Sequence, residues 1–172
     1  MRLTPIALLT ISALCVSAAA PAEAQPRTAA LRSDAVGAGV FYPKPKSFET
    51  ADIRFAAMEG VGPRQRLVFA DQINLAASTP GRTIPIVAQA VGEDRATLVF
   101  MYLDSEEPGM TPYLARGVLA RLTSITRVAP AITEMGLSSE FDIYNMAAVL
   151  GFERLVVTDG RAFSHEARLP PK

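Results

Sequence analysis

The stretch Ala96–Leu103, ATLVFMYL, limits what this chain can fold into more than any other. Read as a strand, it turns Leu98, Phe100 and Tyr102 to one side and Val99, Met101 and Leu103 to the other, and both sets are apolar. Such a strand belongs inside a sheet, with cover on each face. The preceding run TIPIVAQAV is rich in β-branched residues, and GEDR between the two is a polar turn, so together they predict a β-hairpin. Pro85 has no N–H for a ladder, which starts the first strand there or places it near an edge.

Over Asp52–Asp104 the apolar spacing reads as a β-meander. DIRFAAM puts Ile53, Phe55 and Ala57 on one face, and RLVFADQINLA puts Leu67, Phe69, Ile73 and Leu75 on one face with Asp71 interrupting the row. Helix is the alternative across 52–77, because alanine is plentiful and both runs are short. Beyond the acidic turn DSEEPGM, Thr111 and Pro112 supply an N-cap and a first-turn proline. Leu114, Val118, Leu122, Ile125, Ala129 and Ile132 then form one helical stripe, which Pro130 must kink or end, and Gly136 is a terminator. Ser139 can cap a second helix that closes at Gly151. Finally, FERLVVTDGRAFSHEARL alternates around Asp159-Gly160, predicting a C-terminal β-hairpin. This order favours an α+β fold: an antiparallel sheet of β-meander and C-terminal β-hairpin, with two helices packed on one face.

The N-terminus carries an address. Arg2 precedes the apolar run Ile6–Val16, and Ala22-Glu23-Ala24 offers a cleavage site, the layout of a secretory signal peptide over 1–24. The apolar run is too short to span a bilayer, so no stable membrane insertion is expected after cleavage, and the periplasm is the expected location. Residues 25–50, with Pro26, Pro43 and Pro45, read as an extended or partly disordered arm, and 51–172 as a single domain. Cleavage removes Cys15, the chain's one cysteine, so neither a disulfide nor a thiolate ligand can support the mature fold.

Charge excludes one class of partner. Seventeen basic residues balance 17 acidic ones, without the basic footprint of a nucleic-acid binder. Chemistry is sparse as well. One histidine, His165, and no surviving cysteine leave no histidine and cysteine set for a transition metal. The loop at Asp104 lacks the acid expected at a calcium loop's twelfth position, no G-x-S-x-G elbow is present, and GVGPRQ lacks a third glycine. Glu140, Asp142 and Glu166 have no spacing that singles out a carboxylate pair, and Arg116, Arg127 and Glu134 share an outer helix face.

A two-residue loop at Asp159-Gly160 would pair Arg154 with His165 and place His165 on an apolar face with Phe163, Ala167 and Leu169, opposite a solvated face of Ser164, Glu166 and Arg168. That favours a sheet residue over a reactive group, and opposite faces make Ser164 and His165 a poor catalytic pair. Asp71, Arg154 and His165 remain as ligand-binding candidates, since an acid that interrupts an apolar face must be paired or functional. With no catalytic residue, metal or cofactor indicated, the expectation is a non-enzymatic exported accessory or binding protein. Its surplus apolar surface would meet a second copy or an envelope protein. The alternative is a small-ligand-binding domain or modest hydrolase with a pocket between helices and sheet.

Overall fold

The computed structural model describes residues 42–79, 84–103, 109–127, 130–134 and 141–172. The signal peptide, the arm up to residue 41, the turn at 104–108, Gly136 and Ser139 lie outside them. The element order is β1 (Ser47–Thr50), α1 (Pro63–Ala77), β2 (Ile86–Val91), β3 (Thr97–Tyr102), α2 (Pro112–Thr126), α3 (Pro130–Glu134), α4 (Ile143–Val149), β4 (Arg154–Thr158) and β5 (Ser164–Arg168).

The strands form one five-stranded sheet in the order β1-β5-β4-β3-β2. β2 with β3 and β4 with β5 are antiparallel, whereas β3 with β4 and β1 with β5 are parallel. The fold is therefore α+β with a mixed sheet, which corrects the antiparallel expectation. Parallel neighbours cannot be joined by a tight turn, and the segment carrying α2, α3 and α4 supplies the crossover from β3 to β4. β1 draws on residues assigned to the arm and pairs with a strand more than a hundred residues away in sequence.

No meander crosses 52–77. Residues 51–62 are irregular, and 63–77 form α1, whose buried residues follow the helical period: Phe69, Ala70, Ile73 and Ala77 are buried, while Leu75 is 65% exposed. Pro63 opens the helix, and the Gln65 side chain accepts the Gly62 N–H at 3.0 Å, satisfying a donor at the N-terminus. α2 starts as the sequence predicts, with Thr111 Oγ1 accepting from Leu114 N–H. α4 is capped by Asp142, whose Oδ1 accepts the Asn145 N–H at 2.8 Å. It closes on Gly151 at φ +69°, with Gly151 N–H donating to Ala148 O and Phe152 N–H to Ala147 O, a left-handed C-terminal turn that glycine adopts without strain.

Helices α1 to α4 contribute to a core against one sheet face, through alternate strand residues that include Ala88, Leu98, Phe100, Leu155, Val157 and Ala167. The opposite side of the central strands is buried too, at Val99, Val156 and Thr158. Both faces of β3 and β4 are thus withdrawn from water, as the two-sided apolar run requires.

The β4–β5 register differs from the two-residue-loop expectation. Arg154 pairs with Arg168, Val157 with His165 and Thr158 with Ser164, so the connection is Asp159–Phe163. Asp159 Oδ1 accepts the N–H groups of Arg161, Ala162 and Phe163, which stabilises the wider loop. The register moves by three residues, and an odd shift exchanges faces. His165 therefore lies on the face opposite Arg154. Ser164 and Glu166, expected in solvent, are buried.

Candidate functional site

A cavity of about 510 Å³ opens at the end of the sheet where β5 finishes and β4 begins. This is within the roughly 300–1,000 Å³ range of small-molecule sites. Its walls come from the irregular segment after β1, the α4–β4 turn and the residues after β5. Ile53, Phe55, Ala57, Phe152, Leu169 and Pro170 give it a mostly apolar lining. Arg154 and Arg168 bring positive charge, beside the Glu153 carboxylate and Lys172.

Local interactions hold these walls in place. Arg54 N–H donates to Asn145 Oδ1 at 2.8 Å and Met58 N–H to Val149 O at 2.8 Å, anchoring the 51–58 segment to α4. Phe55 stacks on Phe141 with ring centroids 4.1 Å apart. On the far wall, Leu169 N–H donates to Glu153 O, continuing the β4–β5 ladder past its last assigned pair. Arg66 from α1 reaches the turn above, donating to Leu150 O at 3.0 Å and to Asp94 O at 2.6 Å.

A second group of polar residues surrounds His165 on the helix side of β1. Ser47 lies directly across the parallel ladder from His165, and its Oγ is 3.0 Å from Nδ1. Glu49, two residues on and hence on the same face, brings Oε1 to 3.2 Å from His165 Nε2. That approach is close enough for electrostatic attraction but off the line of a directed bond, leaving Nε2 the one buried side-chain polar atom without a hydrogen bond among the described residues. A proton on Nε2 would face the carboxylate and leave Nδ1 to accept from the Ser47 hydroxyl. Glu49 Oε1 also accepts from Tyr144 O–H at 2.6 Å, and Oε2 accepts from Arg116 Nε at 2.9 Å.

Burial pushes the Glu49 carboxyl upward, but Tyr144, Arg116 and His165 outweigh it, and its pKa lies below the ordinary value. Burial first, then the bond to Glu49, raises the Tyr144 phenol well above its usual range. The tyrosine therefore remains a donor at every physiological pH. Together these contacts fasten edge strand β1 to α2, α4 and β5. Ser47, His165 and Glu49 follow the order of nucleophile, base and orienting acid, yet the imidazole is wholly enclosed. The arrangement is accordingly a latch.

The three ligand-binding candidates are not brought together. Asp71 is exposed on the outer side of α1, because helical periodicity turns it away from the buried row. Arg154 lines the cavity, and His165 belongs to the latch on the opposite sheet face. Ser164 Oγ donates to Pro43 O at 2.7 Å rather than meeting His165. Among the described residues, no group of three His, Cys, Asp or Glu is arranged to hold a metal, and no helix is long and apolar enough to cross a membrane.

Sequence reasoning missed Ser47, Glu49 and Tyr144. Arg116, read as an outer-face arginine, bonds Glu49, and Arg127 donates to Phe141 O at 3.0 Å. The available signal was the alternation in Ser47-Phe48-Glu49-Thr50, but a four-residue strand without its distant partner is too short to recognise. Comparisons with protein-family models, curated proteins and solved structures find no significant match to this chain.

Proposed function

We propose that the mature chain is an exported periplasmic binding domain that takes a small, largely apolar ligand into the cavity at the end of the sheet. The observation that carries this reading is the cavity itself: a space of about 510 Å³ with Ile53, Phe55, Phe152 and Leu169 in its walls and charged groups beside them. One wall is tied to α4 by hydrogen bonds from the Arg54 and Met58 N–H groups to Asn145 Oδ1 and Val149 O, so the site is largely formed before binding. The signal-peptide layout of residues 1–24 supports the location.

The test is calorimetric titration of the purified chain with a monomeric ten-carbon aliphatic probe, either decanol or decanoate, beside the Ala57→Trp variant. Ala57 is an exposed lining residue, so an indole there occupies cavity space without entering the core. Saturable one-to-one binding that the variant loses is the expected result. Equal binding by both proteins, or no binding of either probe, would sink the reading.

An accessory role through an envelope protein or a second copy is the second reading. It draws on β1, the outer strand at one end of the sheet, where Phe48 is 55% exposed. Failure of both probes together with concentration-dependent sedimentation would favour it. Of the other large exposed apolar side chains, Phe55 and Met58 share the segment after β1, Val68 and Leu75 share α1, and Tyr113 is on α2.

A further inference from the structure

Resting on the cavity reading, we infer that the ligand is an aliphatic chain ending in an anion, with its head group held by Arg154 and Arg168. The two arginines are directly opposite one another in the antiparallel β4–β5 ladder, and both line the cavity. Like charges so placed repel, an arrangement a sheet tolerates better when an anion joins them. Arg168 is partly compensated: its Nε lies 3.1 Å from Glu166 Oε1, and its guanidinium lies 6.0 Å from the Phe48 ring centroid. The Arg154 backbone N–H donates to Ala96 O, but its guanidinium has no hydrogen bond or ion pair among the described residues. It is the guanidinium still able to offer its donor fork to a carboxylate.

The rest of the lining defines the tail. Ile53, Phe152 and Leu169 form apolar walls beside these cations, and Thr50, Glu153 and Lys172 are the other polar side chains of the lining. A neutral aliphatic ligand would bury the tail while leaving Arg154 uncompensated. An anion on the same chain uses both parts of the site.

The probes are decanoate and decanol, which share a chain length and differ in head-group charge, titrated by calorimetry below the concentration at which either aggregates. Decanoate should bind the unaltered protein about tenfold more tightly than decanol, the scale of one charge-assisted contact. Arg154→Gln should remove about that factor for decanoate and leave decanol unchanged, whereas Arg154→Lys should recover part of it. The exposed position of Arg154 makes both variants compatible with folding, which circular dichroism checks. Equal affinity for the two probes, or equal weakening of both by Arg154→Gln, would overturn the anionic-head inference while leaving the cavity as a binding site. Binding of neither probe would overturn the cavity reading and this inference with it.

Discussion

Glu49 shows how one side chain can decide whether an edge strand remains attached. With its carboxylate one-fifth exposed, it accepts from an arginine on α2 and a tyrosine on α4 and lies beside a buried imidazole on β5. Its lowered pKa gives the stability effect a direction. A carboxylate that binds its proton less readily in the folded state contributes stability above its unfolded pKa of about 4.3, and that contribution is lost as pH falls through the lower folded value. Urea midpoints should therefore decline more steeply on acidification below about pH 4.5 for the unaltered protein than for Glu49→Gln. At neutral pH the variant should be less stable by roughly 1 kcal/mol, because the amide accepts from Arg116 and Tyr144 more weakly than a carboxylate does. Parallel acid profiles for the two proteins would show that Glu49 does not titrate as part of the latch. His165 was legible as an unusual residue from its solitude alone. Its environment was not, since Ser47 and Glu49 reach it across a parallel ladder joining the two ends of the domain.

At the scale of elements, the two outer strands are treated differently. β2 ends the sheet opposite β1, yet Asn74 of α1 covers its outward-facing backbone: Nδ2 donates to Ala88 O at 2.9 Å and Oδ1 accepts from Ala88 N–H at 2.7 Å. One carboxamide thus takes the place of a neighbouring strand at that residue and closes the edge to another chain. Asn74→Ala should cost about 1–3 kcal/mol, the range for leaving partly buried polar groups unpaired, measured by urea unfolding. A loss within a few tenths would mean that water satisfies Ala88 equally well. The same contact explains a limit of the sequence. β2, β3 and α2 are legible because alternation, a polar turn and a Thr-Pro cap are local signals. α1 satisfies both periods in its apolar residues, and what selects helix is distant packing against the sheet, including this bond to β2.

Across the described residues burial is uneven, and one wall of the proposed site is an exposed stretch. β3 and β4 are covered on both faces and hydrogen-bonded on both sides, so their amides are protected by the entire fold. Residues 54–60 are exposed, and among the described residues the hydrogen bonds from their backbone to the rest of the domain run from Arg54 N–H to Asn145 Oδ1 and from Met58 N–H to Val149 O. Local opening should therefore release this wall of the cavity without unfolding the sheet. The sequence could not reveal that division: it showed the two-sided strand, but the cavity forms only when the segment after β1, the end of α4 and the chain beyond β5 meet. Hydrogen exchange followed by mass spectrometry should find residues 52–60 exchanging by local fluctuation and β3 only by global unfolding. Saturating decanoate should slow exchange across 52–58 and the residues after β5 far more than it slows β3. A uniform slowing of the whole domain would instead indicate general stabilisation of the folded state, with no special closure over the cavity.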